Sequence, residues 1–217
     1  MKGLLIKDFR LMKNMKNSIL MIIVIAMGMG AYIKDASFII TYLALIGVTF
    51  TTSTMSYDEF DNGYPFLLSL PVSRKGYVVE KYIFGLLLNG GGWLLGSVIA
   101  TVAGAVRNTA PVRDSLMMSL ALLPFALLLL SVLLPFHMKF GGEKGRIVMI
   151  ITMGMIFAVV VLGAKLAESM HIDLDAALEK LPAMGTGTIA LGGIVVGVVI
   201  LLLSCRISIG IMEKKEF

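Results

Sequence analysis

Residues 115–136 read SLMMSLALLPFALLLLSVLLPF, a run with no Asp, Glu, Lys or Arg. An α-helix rises about 1.5 Å per residue, so about 20 such residues cross about 30 Å of hydrocarbon. Outward from this run, charge-free stretches recur at 18–33, 36–57, 82–106, 147–164 and 181–205. The first is short, but Asn17 and a snorkelling Lys16 or Lys34 extend it. The stretches are continuously apolar rather than alternating, which favours helices over a barrel, since backbone groups in lipid must be paired internally. The expected fold is an all-α integral membrane protein, a single transmembrane domain over 1–217. Its six transmembrane helices fall at about 18–33, 37–57, 82–106, 115–136, 147–166 and 186–206.

Composition agrees. The chain has 217 residues and 23.4 kDa, with 58% hydrophobic and 15% charged residues and a mean hydropathy of +0.92. Soluble domains run nearer a quarter charged, and disorder requires sparse apolar content and high charge. A single cysteine, Cys205, excludes an internal disulfide framework and a Cys-rich metal site.

Loop charge sets the orientation. With the N-terminus inside, Lys2, Lys7, Arg10, Lys13, Lys16, Arg74, Lys75, Lys81, Lys139, Lys144, Arg146, Arg206, Lys214 and Lys215 are cytoplasmic. Outside lie only Lys34, Arg107, Arg113, Lys165 and Lys180. This positive-inside bias places both termini in the cytoplasm. It also accounts for the net charge of +5 without invoking nucleic acid. A basic segment before a short apolar one also fits a secretory signal peptide; its length and patterning, and five further apolar stretches, favour an anchor that stays.

Residues 2–17 place Leu5, Phe9 and Met12 on one helical face, flanked by Leu4, Leu11 and Met15, with Lys7, Arg10, Asn14 and Asn17 opposite. The pattern predicts an amphipathic interfacial helix on anionic lipid, either a plain anchor or a lever for a cytoplasmic partner. The loop 58–81 is the longest inside loop. Phe60, Tyr64, Leu67 and Leu68 form an apolar stripe too short to span, while Asp58, Glu59 and Asp61 suit a helix N-terminus. Gly63 interrupts the pattern, Pro65 fits the first turn of a new helix, and Pro71 closes it. A short helix is expected at about 65–70, its apolar face docked in a partner's groove or on its own bundle.

The run Phe66-Leu67-Leu68-Ser69-Leu70-Pro71-Val72-Ser73-Arg74, with Lys81-Tyr82 after it, resembles the signature of ABC-2-type transporter permeases, in their short six-span bacterial branch. The start Met1-Lys2-Gly3-Leu4-Leu5-Ile6-Lys7-Asp8-Phe9 is similar to that branch too. So are Leu134-Pro135-Phe136, Lys139-Phe140-Gly141 and Glu143-Lys144-Gly145-Arg146 of a second cytoplasmic loop, and the tail Ile211–Phe217. The resemblance implies a short cytoplasmic coupling helix between spans two and three, within about 58–70. Residues Asp58, Glu59, Phe60, Asp61, Tyr64, Leu67, Leu68, Leu70, Pro71 and Arg74 would then couple to the ATPase. Lys139, Glu143, Lys144 and Arg146 would belong to the second cytoplasmic loop. It further implies pairing with a second permease chain, identical or not, above ATP-binding cassette ATPase subunits in a bacterial cytoplasmic membrane. An extracellular helix or loop at 167–185, re-entrant or plain, completes the pattern.

The sequence carries no Gly-x-x-x-x-Gly-Lys-Ser/Thr, so ATP and magnesium would be held by the partner subunit. It has no His-Glu-x-x-His, and its two histidines, His137 and His171, fall on opposite sides of the membrane; no catalytic residues, metal or cofactor are expected in this chain. His137 is expected in a loop at headgroup level. The sixteen methionines read as soft packing.

Within the spans, Gly92, Gly96, Ala100 and Gly104 form a small-residue stripe for helix packing, within the chain or between subunits, and Gly193 and Gly197 repeat it. Asn89 lines a pathway or bonds a neighbouring helix, and Pro124 should kink its span. Lys165 and Glu168 pair on one face near an outer end. No span centre carries a charge, which disfavours an ion channel or proton-coupled carrier and suits an amphipathic peptide, a lipid or a hydrophobic drug. The alternative is a non-transporting immunity or sensor protein that sequesters a peptide.

Overall fold

The structure is a computed structural model that describes residues 2–33, 35–60, 63–108, 111–141 and 186–215, with the isolated positions 154, 161, 162 and 165. Its helices are α1 (Lys2–Asn14), α2 (Lys16–Tyr32), α3 (Ala36–Glu59), α4 (Gly63–Ser69), α5 (Arg74–Val106), α6 (Val112–Phe140) and α7 (Thr186–Lys214). No strand occurs among the described residues. Among the described residues, four helices are long and apolar enough to cross a membrane: α3, α5, α6 and α7. The helices α1 and α2 bend by 68° at Met15, and together they would make a fifth. The span expected at 147–166 and the element at 167–185 lie outside the described residues apart from the isolated positions.

Local chemistry sets the helix ends. The Asp35 carboxylate accepts from the Ser37 N–H at 2.9 Å and from its hydroxyl at 2.6 Å, which starts α3 and holds the Asp35 carboxyl below the usual range. The Ser73 hydroxyl accepts from the Gly76 N–H at 3.0 Å and starts α5. Thus α5 begins at Arg74, ahead of the charge-free stretch at 82. The stretch marks where charge ends, whereas the cap marks where the helix begins. At 33 residues α5 is about 50 Å long, well beyond the hydrocarbon thickness. The helix α6 likewise runs to Phe140, because Gly141, with φ +75°, is the first residue to break it. His137 therefore stands in the last turn of α6 rather than in a loop, its Nε2 3.4 Å from Ser56 Oγ.

Small residues let the helices close. A Cβ at Gly92 would collide with the Leu43 carbonyl, at Gly96 with Ile40 Cα at 2.8 Å, and at Gly47 with the Leu88 carbonyl at 2.6 Å. The α3 and α5 backbones are therefore in direct contact. Ala100 on the same stripe is buried. Gly193 and Gly197 of α7 receive Pro124 and Leu127 of α6. Asn89 Nδ2 donates to the Ala126 carbonyl at 2.9 Å and Trp93 Nε1 to the Ser119 carbonyl at 2.8 Å, so both bind α5 to α6.

Pro135 has no N–H and leaves the Ser131 carbonyl without its helical donor. Ser204 of α7 donates its hydroxyl to that carbonyl, and Tyr82 of α5 lies 2.6 Å from Ser204 Oγ and 2.8 Å from Ser208 Oγ. Outward faces are apolar and exposed, with Leu94 and Val98 on α5 and Val195, Leu202 and Ile207 on α7, as suits a bundle solvated by lipid. The buried core lies instead toward the end where Leu4, Met55, Tyr64, Tyr77, Met138 and Met212 meet. At the opposite end Arg107 donates to the Ile33 carbonyl at 3.0 Å and to the Gly30 carbonyl, and so clamps α2 to α5.

Gly92→Leu drives a side chain into the α3 backbone and should destabilise the detergent-solubilised protein by about 1–3 kcal/mol or more. Gly90→Ala enters open space and should be neutral or stabilise by up to about 1 kcal/mol. Denaturation in mixed micelles reads both. Ser204→Ala should cost about 1–3 kcal/mol by orphaning the Ser131 carbonyl. That cost should shrink in a Pro135→Leu background, where the backbone N–H returns; equal costs in both backgrounds would refute the pairing.

Candidate functional site

Charged side chains gather where α1, α3, α4 and α5 meet, and burial makes their pairing obligatory. Lys81 of α5 is fully buried. Its ammonium touches Asp8 Oδ2 of α1, lies 2.9 Å from Asp58 Oδ2 of α3, and donates to Thr54 Oγ1 at 3.2 Å. Lys7 pairs with Asp58 Oδ1 and stands 3.3 Å from Asp8 Oδ1. Tyr77 donates its hydroxyl to Asp58 Oδ2 at 3.1 Å, and its ring lies 5.3 Å from the Lys81 ammonium. Tyr64 of α4 reaches the Tyr77 hydroxyl at 3.4 Å and packs edge-on against its ring. Burial pushes the Tyr64 phenol well above its usual range, so it stays neutral. An isolated buried ion is costly to desolvate, so Lys81 is stable there only with both aspartates in place.

A second group closes the same end. Arg74 donates to the carbonyls of Met212, Glu213 and Lys215 at 3.2, 2.7 and 2.9 Å, capping the C-terminus of α7. The Lys215 ammonium lies 3.3 Å from Glu59 Oε1, donates to the Met138 carbonyl at 3.2 Å, and stands 5.1 Å from the Tyr64 ring centre. A Cβ at Gly141 would sit 3.1 Å from Glu59 Oε2, so α6 ends against the same carboxylate.

These contacts divide the stretch expected to grip an ATPase. Asp58, Tyr64 and Leu67 are buried, Glu59 pairs with Lys215, and Arg74 caps α7. Phe60, Phe66, Leu70 and Pro71 remain exposed, Phe60 and Phe66 each at 73%. Asp61 and the Leu68 side chain lie outside the described residues. Gly63 is needed where α4 turns back under α3, since a Cβ there would press on the Asp58 carbonyl. In the second loop, Lys139 is exposed over the Phe140 ring at 5.2 Å; Glu143, Lys144 and Arg146 lie outside the described residues, as do Glu168 and His171.

Pattern reading passed over Asp8, Lys81 and Tyr77. The inward face of α1 carries Leu4 and Asp8, while Phe9 is about half exposed and meets Phe84 edge-on. The Asp8–Lys81 pair turns α1 away from the Leu5–Phe9–Met12 face that apolar spacing favoured. The available signal was an aspartate at i+4 from Leu4, on the apolar side of a cationic helix.

Lys81→Met should strand two buried carboxylates and destabilise the protein by about 3–5 kcal/mol. Lys75→Ala breaks an exposed pair with Glu213 at 3.5 Å and should change stability by less than about 1 kcal/mol. Mixed-micelle denaturation of both variants checks the contrast.

Residues 3–213 match the model of a family described as ABC-2 family transporter protein. No curated protein and no solved structure matches. With nearly its whole length matched, the chain belongs to the ABC-2 transporter membrane family.

Proposed function

We propose that this chain is the membrane-spanning permease subunit of an ATP-binding cassette exporter in a bacterial cytoplasmic membrane. In this reading it crosses six times, with both termini and α4 in the cytoplasm. It carries no catalytic residue; a partner ATPase hydrolyses ATP, and a second permease chain completes the pathway. The observation that carries the reading is α4, placed between the bundle and an external surface. Tyr64 and Leu67 root it in the buried core while Phe66 and Leu70 point away from it. A helix held on one side by an ion-paired cluster and offering aromatic and aliphatic groups on the other suits transmission of force from a docked partner.

In the coupling cycle, closure of the ATPases around nucleotide displaces α4. The displacement passes through Tyr64 and Tyr77 to Asp58, and from there to α1, α3 and α5 together. The bundle shifts population between inward-open and outward-open or collapsed forms. The apolar span centres suit an amphipathic peptide, a lipid or a hydrophobic drug as cargo.

Co-expression with a candidate ATP-binding cassette subunit tests this. The wild-type chain should retain the ATPase through purification, and amphipathic peptides should stimulate hydrolysis in nanodiscs. A Phe66→Glu/Leu70→Glu variant should lose at least about tenfold in ATPase retention with unchanged stability, because both side chains are already exposed. Stoichiometric peptide binding with no ATPase retained would instead establish the sequestering alternative.

A further inference from the structure

A groove of about 500 Å³ runs between α6 and α7. Its floor is Ser131 and Ser204, both buried, and its walls include Phe136, Leu203, Ile207 and Ile211. The hydroxyl protons of the floor are spent within the protein, Ser131 on the Leu127 carbonyl at 2.8 Å and Ser204 on the Ser131 carbonyl. An occupant therefore meets apolar walls and no free side-chain donor until it reaches Lys139 at the mouth. That ammonium lies over the Phe140 ring at 5.2 Å, and Phe140 stacks on Phe136 of the wall, so the cation is held at the opening. A second apolar groove, of about 390 Å³, shares Leu203 with the first and includes Arg206. Neither has an acidic residue among the described residues that line it.

The dimensions fit one leaflet. From Ser131 to Lys139 on α6 and from Ile200 to Ile211 on α7 the groove follows about 12 Å and about 17 Å of helix, against about 15 Å for half of the hydrocarbon layer. Lys139 stands in the last turn of α6 beside Met138, whose carbonyl accepts from Lys215, so the mouth is at the end that carries α4. Arg206 lies about 12 Å before the end of α7, and its stem is long enough to snorkel toward the same end. Charge then selects the occupant. A second copy in the same membrane shares this orientation, so it would bring its own Lys139 and Arg206 to the same depth, where like charges repel. A zwitterionic lipid carries an ammonium of its own to the mouth. An anionic phospholipid brings apolar chains for the walls and an uncompensated phosphate for the cations, the chemistry that basic pockets between membrane helices recognise.

We propose that the α6–α7 groove is a binding site for one anionic diacyl phospholipid of the leaflet on the α4 side. Its acyl chains lie on either side of Leu203, and its phosphate lies in the combined field of Lys139 and Arg206. The lipid rests against the Ser204–Ser131 bond that holds α7 to α6. The site requires only that α6 and α7 cross a bilayer. It needs neither an ATPase nor transport, so it stands or falls apart from the function proposed above; that reading supplies only the statement that the leaflet is the cytoplasmic one.

Native mass spectrometry of the full-length chain tests it, after titration in detergent with phosphatidylglycerol or with phosphatidylcholine of the same acyl chains. The wild-type protein should retain one phosphatidylglycerol in preference to phosphatidylcholine by about tenfold or more, as two basic residues beside a headgroup supply. Inorganic phosphate, which shares the charge without the chains, should not displace it. Lys139→Gln/Arg206→Gln, at two exposed positions, should bring the two lipids to near parity with unchanged stability. Lys2→Gln/Lys13→Gln, which removes two exposed cations of α1, should keep the preference. Ile207→Trp narrows the groove from an exposed wall position and should lower retention of both lipids about equally. Equal retention of the two lipids by the wild type, a preference that survives Lys139→Gln/Arg206→Gln, or an equal loss in the α1 variant would each overturn the proposal. Displacement by inorganic phosphate would reduce the site to an anion contact. An Ile207→Trp protein that loses dimer, or monomer stability, rather than lipid would give the groove to a second copy or to a segment of the chain itself.

Discussion

An ammonium group without access to water is tolerated only where carboxylates replace its hydration, and Lys81 is held in that way between Asp8 and Asp58. Those two aspartates come from different helices, so the requirement is met only when α1 and α3 are both docked on α5. Tyr77 then binds Asp58, and Tyr64 brings α4 onto the same cluster. The exposed position of Phe66 and Leu70 is thus a consequence of one buried charge. Separation of these helices anywhere near this end exposes an unbalanced ion, which makes the end cooperative.

The remainder of the bundle is held by other means. Through α3 and α5 the contact is backbone on backbone, permitted by Gly47, Gly92 and Gly96. Between α6 and α7 a proline removes a hydrogen bond and a neighbouring hydroxyl restores it, as Ser204 does for the Ser131 carbonyl. Both devices answer a solvent that offers no hydrogen bonds, where affinity between apolar faces alone cannot drive association. The helix α2 contributes few buried residues, Ala26 and Gly30, and packs against α3 and α5, with the Arg107 clamp at its far end.

Membership of the ABC-2 family makes this chain a transporter membrane protein. In the function proposed for it, a helix fixed to three others through one cluster would convert a push at its surface into a shift of the bundle. In that proposal stability and coupling draw on the same residues, so a variant of Asp58 or Tyr64 would disturb both. The exposed Phe66 and Leu70 separate the two properties.

Hydrophobic run length alone determined that the chain is helical and built for lipid, because hydrocarbon thickness fixes how many apolar residues a span requires. Pro65 after Gly63 marked the short helix for the same kind of local reason, since proline is tolerated in a first helical turn. Pairing was decided only by the tertiary structure. Nothing local distinguishes Lys81 from other basic residues near a helix start, and Asp8 looked like a solvated member of a cationic helix. Their partners lie 73 positions apart in the chain, and a side chain's charge becomes informative only when packing removes the water around it.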